Sequence, residues 1–158
     1  DKYTWVDLGS SYLPGDVQAA YLWAQLECAD KILASRMRCW KRYESHLHSL
    51  EAEGKADLPH FINGSSHNAH CFYIKLRRPE LRPELITYLK NAGILSVFHY
   101  VPLHSAVAGR KFGRFSGVDR YTTLESERLL RLPLFYALTD DQIDYICSKV
   151  REFFSGND

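Results

Sequence analysis

The chain has 158 residues, enough for one domain with a real core and too few for two ordinary ones. A hydrophobic fraction of 46% with 25% charged residues belongs to a folded protein rather than a disordered tail. Twenty Lys and Arg against 19 Asp and Glu leave a net charge of +1, which excludes a protein devoted to neutralising nucleic-acid phosphates. No run approaches the roughly 20 apolar residues that span a bilayer, and no basic-then-apolar leader opens the chain. A cytoplasmic location is expected.

The first element follows Pro14 and Gly15, with Asp16 as the expected N-cap. Apolar residues recur at Ala19, Leu22, Leu26, Ala29, Leu33, Met37, Trp40, Tyr43, Leu47 and Leu50, one helical stripe that Gly54 stops. Unbroken, this helix is about 35 residues and about 50 Å long. It would overhang a domain roughly 40 Å across, so it either bends or packs on something outside this chain, the second being favoured. The chain also opens on Asp1 and has Met37 as its only methionine, so it reads as a piece of a longer protein.

After Pro59, residues 69–76 (AHCFYIKL) predict a strand. Pro79 and Pro83 open a short helix over Leu85, Ile86 and Leu89, and 94–99 (ILSVFH) predicts a second strand. Residues 100–118 carry three Gly and no sustained period, and predict a long loop of the functional kind. A helix over 123–130 and a short strand over 132–135 follow, with Pro133 confining that strand to an edge or terminus. Thr139 caps a last helix with Ile143, Ile146, Val150 and Phe153 or Phe154 on one face. The predicted class is α+β: a long N-terminal helix and a small α/β sandwich.

The cysteines Cys28, Cys39, Cys71 and Cys147 form no C-x-x-C pair and read as buried, reduced thiols. Among the histidines, His46 and His48 point about 200° apart on a helix and cannot share an ion. His67 and His70 have no Cys or carboxylate spaced to complete a metal set. His99 and His104, in VFHYVPLH (97–104), bracket Pro102 at the mouth of the long loop. They could bind a metal, hold the loop by hydrogen bonds, or contact a polar ligand. GSSYLPGD (9–16) at a helix N-terminus could hold phosphate or simply start the helix. Arg110, Lys111 and Arg114 could steer an anion or be solvated. No metal site is expected.

Three strings in order then carry a resemblance. Gly9, Tyr12, Gln18, Ala19 and Ala20 match a Gly-x-Asn-Tyr-Arg stretch followed by Gln-Ala-Ala. VFHYVPLH follows Gly93-Ile94 as a His-Tyr-x-Pro-Leu-His motif does, and RLLRLPLFYALTDDQIDYI (128–146) has a Leu-Pro-Leu, turn and terminal helix. Together these resemble the C-terminal region of the sugar-nucleotide aminotransferases of the DegT/StrS type. Ser11 stands for the usual Asn and Leu13 for the usual Arg, departures similar to the branch acting on TDP-4-keto-6-deoxyglucose.

The resemblance implies the small C-terminal domain of a fold type I, pyridoxal phosphate-dependent homodimer. Residues 1–56 would be an interdomain segment and long helix, and 57–158 the small domain, with the large catalytic domain absent. It implies amino transfer from glutamate to the C4 ketone of a TDP-linked sugar, giving TDP-fucosamine for enterobacterial surface polysaccharide. It places Ser11 at the cofactor phosphate, and His99, Tyr100 and His104 on nucleotide sugar or glutamate. None of Lys2, Lys31, Lys41, Lys55, Lys75, Lys90, Lys111 and Lys149 has the Schiff-base context, so this chain alone is expected to be inactive and to hold no catalytic residue. A non-catalytic nucleotide-sugar-binding module and a dimerisation module are the alternatives.

Overall fold

The computed structural model describes residues 4–9 and 13–156. Helices α1 (Asp16–Leu26), α2 (Ala29–Leu47) and α3 (Ser49–Ala52) lead into strands β1 (Ala56–Asp57) and β2 (Phe72–Leu76). Then come α4 (Leu81–Asn91), β3 (Val97–Phe98), α5 (Val107–Phe112), α6 (Thr122–Arg128), β4 (Leu129–Leu132) and α7 (Asp140–Ser155). The α+β expectation holds.

The sheet is antiparallel throughout, in the order β1-β2-β4-β3, with Phe72 opposite Leu132 and Val97 opposite Arg131. Period-two alternation buries Phe72, Ile74 and Leu76 of β2 while Tyr73 and Lys75 point the other way. The buried face meets Tyr43 and Leu47 of α2, Leu85 and Leu89 of α4, and Ile143, Val150 and Phe154 of α7. Tyr43 stacks on Phe72 at 5.0 Å between centroids and donates its hydroxyl to the Pro133 carbonyl at 2.8 Å. Burial pushes that phenol well above its usual value. Between α2 and α7, the Arg42 guanidinium grips both carboxylate oxygens of Asp144 at 2.6 Å each. That hydrogen-bonded partner holds Asp144 below the ordinary carboxylate range.

Four expectations need correction. The long helix is broken at Glu27 and Cys28, where the Cys28 amide tightens onto the Gln25 carbonyl at 3.0 Å. Gly15, not Asp16, is its N-cap, with the Gly15 amide donating to the Gln18 side chain at 3.1 Å. The last strand runs over Leu129–Leu132 rather than 132–135, because Pro133, lacking an N–H, ends the ladder. That strand is central, and Pro133 lies just past its end. Finally, Cys28 is exposed and Cys71 half-buried, whereas Cys39 and Cys147 are buried; all four are free thiols.

Other readings stand. Gly54 closes the helical stretch with φ +68°, a conformation open to Gly. Thr139 caps α7, its hydroxyl accepting from the Gln142 amide at 3.3 Å while the Gln142 side-chain oxygen accepts from the Thr139 amide at 3.0 Å. The segment 100–118, expected as a loop, departs from that reading by holding one short helix, α5. Helix α1 buries no residue, and Val17, Tyr21, Leu22, Trp23 and Leu26 remain exposed.

Candidate functional site

The loop that follows β3 carries the VFHYVPLH motif. Its turn is held by the Ser105 and Ala106 amides on the Pro102 carbonyl, at 3.1 and 3.0 Å. Helix α5 lies directly on this turn at Gly109, where a side chain would overlap the Leu103 carbonyl. A strap from the N-terminal segment fastens the other side: the Ala108 amide donates to the Trp5 carbonyl at 2.9 Å, and Trp5 lies 6.5 Å from Phe112. These contacts frame a cleft of about 960 Å³.

His99, Tyr100 and Pro102 form one wall of the cleft, Trp5 another, and Thr122, Glu125, Ser126 and Leu129 a third. The last four recur at helical spacing, so one face of α6 and the residue after it line the site. That spacing was readable in the sequence; Trp5, about a hundred residues away, was not. Lys75 anchors Glu125 at 2.9 Å, and this bond, with Arg128 beyond it, holds the Glu125 carboxyl below the usual value. The cleft thus presents a carboxylate, hydroxyls, an imidazole and two aromatic rings. Burial, with Arg131 and His70 nearby, lowers the His99 imidazole below its ordinary value and so favours its neutral form.

His104 is not among the lining residues. Its Nε2 meets the Asp119 carboxylate at 3.0 Å and the Thr123 hydroxyl at 3.4 Å, and its ring lies 4.5 Å from Phe115. Asp119 also accepts the Thr123 hydroxyl and the Thr122 amide, the latter at 2.9 Å. The Thr123 bonds lead in depressing the Asp119 carboxyl, ahead of the charge of His104. This cluster joins the motif loop to the start of α6, the loop-holding alternative for a histidine here. His67 packs between Trp40 and Phe61, and His46 faces Asp144 at 3.3 Å. No group of metal-ligating side chains occurs among the described residues. Ser11 lies outside them.

The sequence pattern of the DegT/DnrJ/EryC1/StrS aminotransferases matches residues 1–151. The chain belongs to this family. It is 28% identical over 143 residues to a dTDP-3-amino-3,4,6-trideoxy-alpha-D-glucose transaminase of Micromonospora megalomicea subsp. nigra, covering 89% of this chain and 37% of that protein. The solved structure of S. venezuelae DesV in complex with a ketimine intermediate matches with a TM-score of 0.73 at 27% identity, over 86% of this chain and 35% of that one. The PLP form of a putative sugar aminotransferase of Streptococcus pneumoniae matches with a TM-score of 0.72 at 24% identity, over 85% of this chain and 34% of that one. The architecture is therefore that of a partial, C-terminal region of fold type I aminotransferases. The chain spans well under half the length of these relatives.

Pyridoxal phosphate requires an amine for its aldehyde and donors for its phosphate. Among the described residues the cleft is lined by no Lys and no Arg, and its one charged group is Glu125. These residues do not by themselves make a site for that cofactor. No helix among them is long and apolar enough to cross a membrane.

Proposed function

We propose that this chain is the C-terminal part of a cytoplasmic, homodimeric sugar-nucleotide aminotransferase. Glutamate is the amino donor and the C4 ketone of TDP-4-keto-6-deoxyglucose the acceptor. The product, TDP-fucosamine, feeds surface-polysaccharide synthesis of the enterobacterial common antigen or lipopolysaccharide kind. Residues 1–56 are the interdomain segment and 57–158 the small domain. A larger domain outside this chain supplies the Schiff-base lysine and most of the pyridoxal phosphate site, with Ser11 reaching the cofactor phosphate.

The observation that carries this reading is the cleft where the His99–Tyr100 segment faces Trp5 and the Thr122, Glu125 and Ser126 side of α6. Aromatic walls with a carboxylate and hydroxyls suit the base and sugar of a glycosyl nucleotide, whose diphosphate would be met by cations outside this cleft. His99 and Tyr100 contact the ligand in this reading, and His104 acts at the base of the same loop. Family membership and a dTDP-sugar transaminase among the relatives support the substrate class.

The test is the visible absorbance of the protein extended upstream to its natural start, before and after glutamate. An absorption band of lysine-bound cofactor that collapses on glutamate addition is expected, with the amine then recovered on TDP-4-keto-6-deoxyglucose. No band, even with added pyridoxal phosphate, would remove the transaminase reading and leave a binding module. Transfer to another keto sugar but not this one would refute the branch.

A further inference from the structure

The open face of the sheet carries a cation that meets no anion among the described residues. Arg131 sits on central β4, opposite Tyr73 on one side and Val97 on the other. Its Nε is buried and has no hydrogen-bond partner among the described residues. Nor does it enter the ion pairs that occupy Arg38, Arg42, Arg77, Arg78 and Arg128. Its guanidinium carbon stands 5.5 Å from the centre of the Tyr100 ring, which leaves the in-plane donors uncommitted. A buried donor on a charged group is costly unless something accepts from it.

A cavity of about 250 Å³ adjoins this guanidinium, with His70, Cys71, Val97 and Pro133 among its walls and no carboxylate side chain. A second guanidinium braces the rim. Arg36 donates to the Ala69 carbonyl at 3.0 Å, the His70 carbonyl at 2.5 Å and the Leu134 carbonyl at 3.4 Å, fixing both chain segments that border the cavity. Burial dominates the Cys71 thiol and raises it, but Arg131 and Arg36 both pull toward its charged form. Positive charge therefore adjoins a small pocket with no carboxylate in its walls, and an anion there would meet a charge-assisted bond.

We propose that this pocket is an anion site in which Arg131 receives a single carboxylate or phosphoryl group of a small-molecule ligand. The planar fork of Arg suits either group in a two-point bond, which Lys cannot reproduce. The cavity has room for one such group and not for a whole nucleotide. Such an anion site would exist whether or not the transaminase reading holds.

The test titrates the ¹⁵N-labelled chain with inorganic phosphate and, separately, with acetate, at fixed pH, ionic strength and chloride. The backbone amide signals of His70, Cys71 and Val97 are followed. A saturable shift with a dissociation constant below about 10 mM is expected for at least one anion. Phosphate alone would assign a phosphoryl group, acetate alone a carboxylate, and both an unselective anion site. Arg131→Gln is expected to weaken binding at least tenfold and Arg151→Gln to leave it unchanged. If Arg131→Gln fails to fold, Arg131→Lys must weaken it at least threefold. No saturable shift with either anion, or binding that survives these Arg131 substitutions, overturns the proposal.

Discussion

Replacing Gly109 by Ala tests whether α5 and the Pro102 turn really pack backbone on backbone. The new methyl would overlap the Leu103 carbonyl oxygen and crowd its carbon, and His104 Cα would lie 3.4 Å away. The obstruction is main chain, so no side chain can swing aside. The turn or α5 must move. Forced overpacking of this kind costs about 1–3 kcal/mol. The cost falls on the local opening of 100–113 rather than on the whole fold, because Ala108 is tied to Trp5 and not to the main core. At tenfold per about 1.4 kcal/mol, native-state hydrogen exchange of the Ala106, Ala108 and Gly113 amides should quicken roughly 5- to 150-fold. The core amides of Ile74 and Leu130 should keep their rates. Gly156→Ala, whose nearest neighbour is 3.7 Å away, is the control. Exchange within twofold of the parent at all three loop amides would refute the close packing, and with it the account of how the cleft wall is held.

Tyr43→Phe keeps the ring on Phe72 but strips the Pro133 carbonyl of its donor, so a loss of about 1–2 kcal/mol and a fall in Tm of roughly 2–8 °C are expected by calorimetry. Asp119 has its carboxyl depressed in the fold, so its contribution is complete above the unfolded value of about 4 and is lost as pH falls through the lower folded value. Limited proteolysis within 104–121 should therefore accelerate below about pH 4 in the parent. Asp119→Asn should show the faster cleavage already at pH 6, without that added acid step; a parent and variant alike at pH 6 would discount the clamp. With a thiol reagent at pH 8, Cys28 should react first. Cys147, buried and pushed up to about 12, and the buried Cys39 should wait for unfolding, which mass mapping of the labelled peptides would check.

Much of the scaffold was written in local pattern. The α7 stripe and its Thr139–Gln142 cap, the Gly54 stop and the β2 alternation depend on neighbours a few residues apart, and each appears where its spacing demands. The break at Cys28 did not announce itself, since neither Pro nor Gly marks it and the apolar rhythm continues through it. The strand at Leu129–Leu132 was misplaced because its apolar pair Leu129 and Leu130 fits a helix as well as a strand, and only pairing with β2 and β3 decides between them. The site divides in the same way. His99 and Tyr100 were legible as a motif at a strand end and the Glu125 face of α6 as a helical spacing, whereas Trp5 reaches the cleft only through the folded path of the chain. Local pattern carried most of the helices, the β2 strand and the ordered family motifs, because helical stripes, caps and motif order are short-range or positional signals. Long-range packing sets the His104–Asp119 clamp beside the cleft and buries the Arg131 Nε with no acceptor among the described residues, because burial and charge pairing depend on what distant contacts leave uncovered.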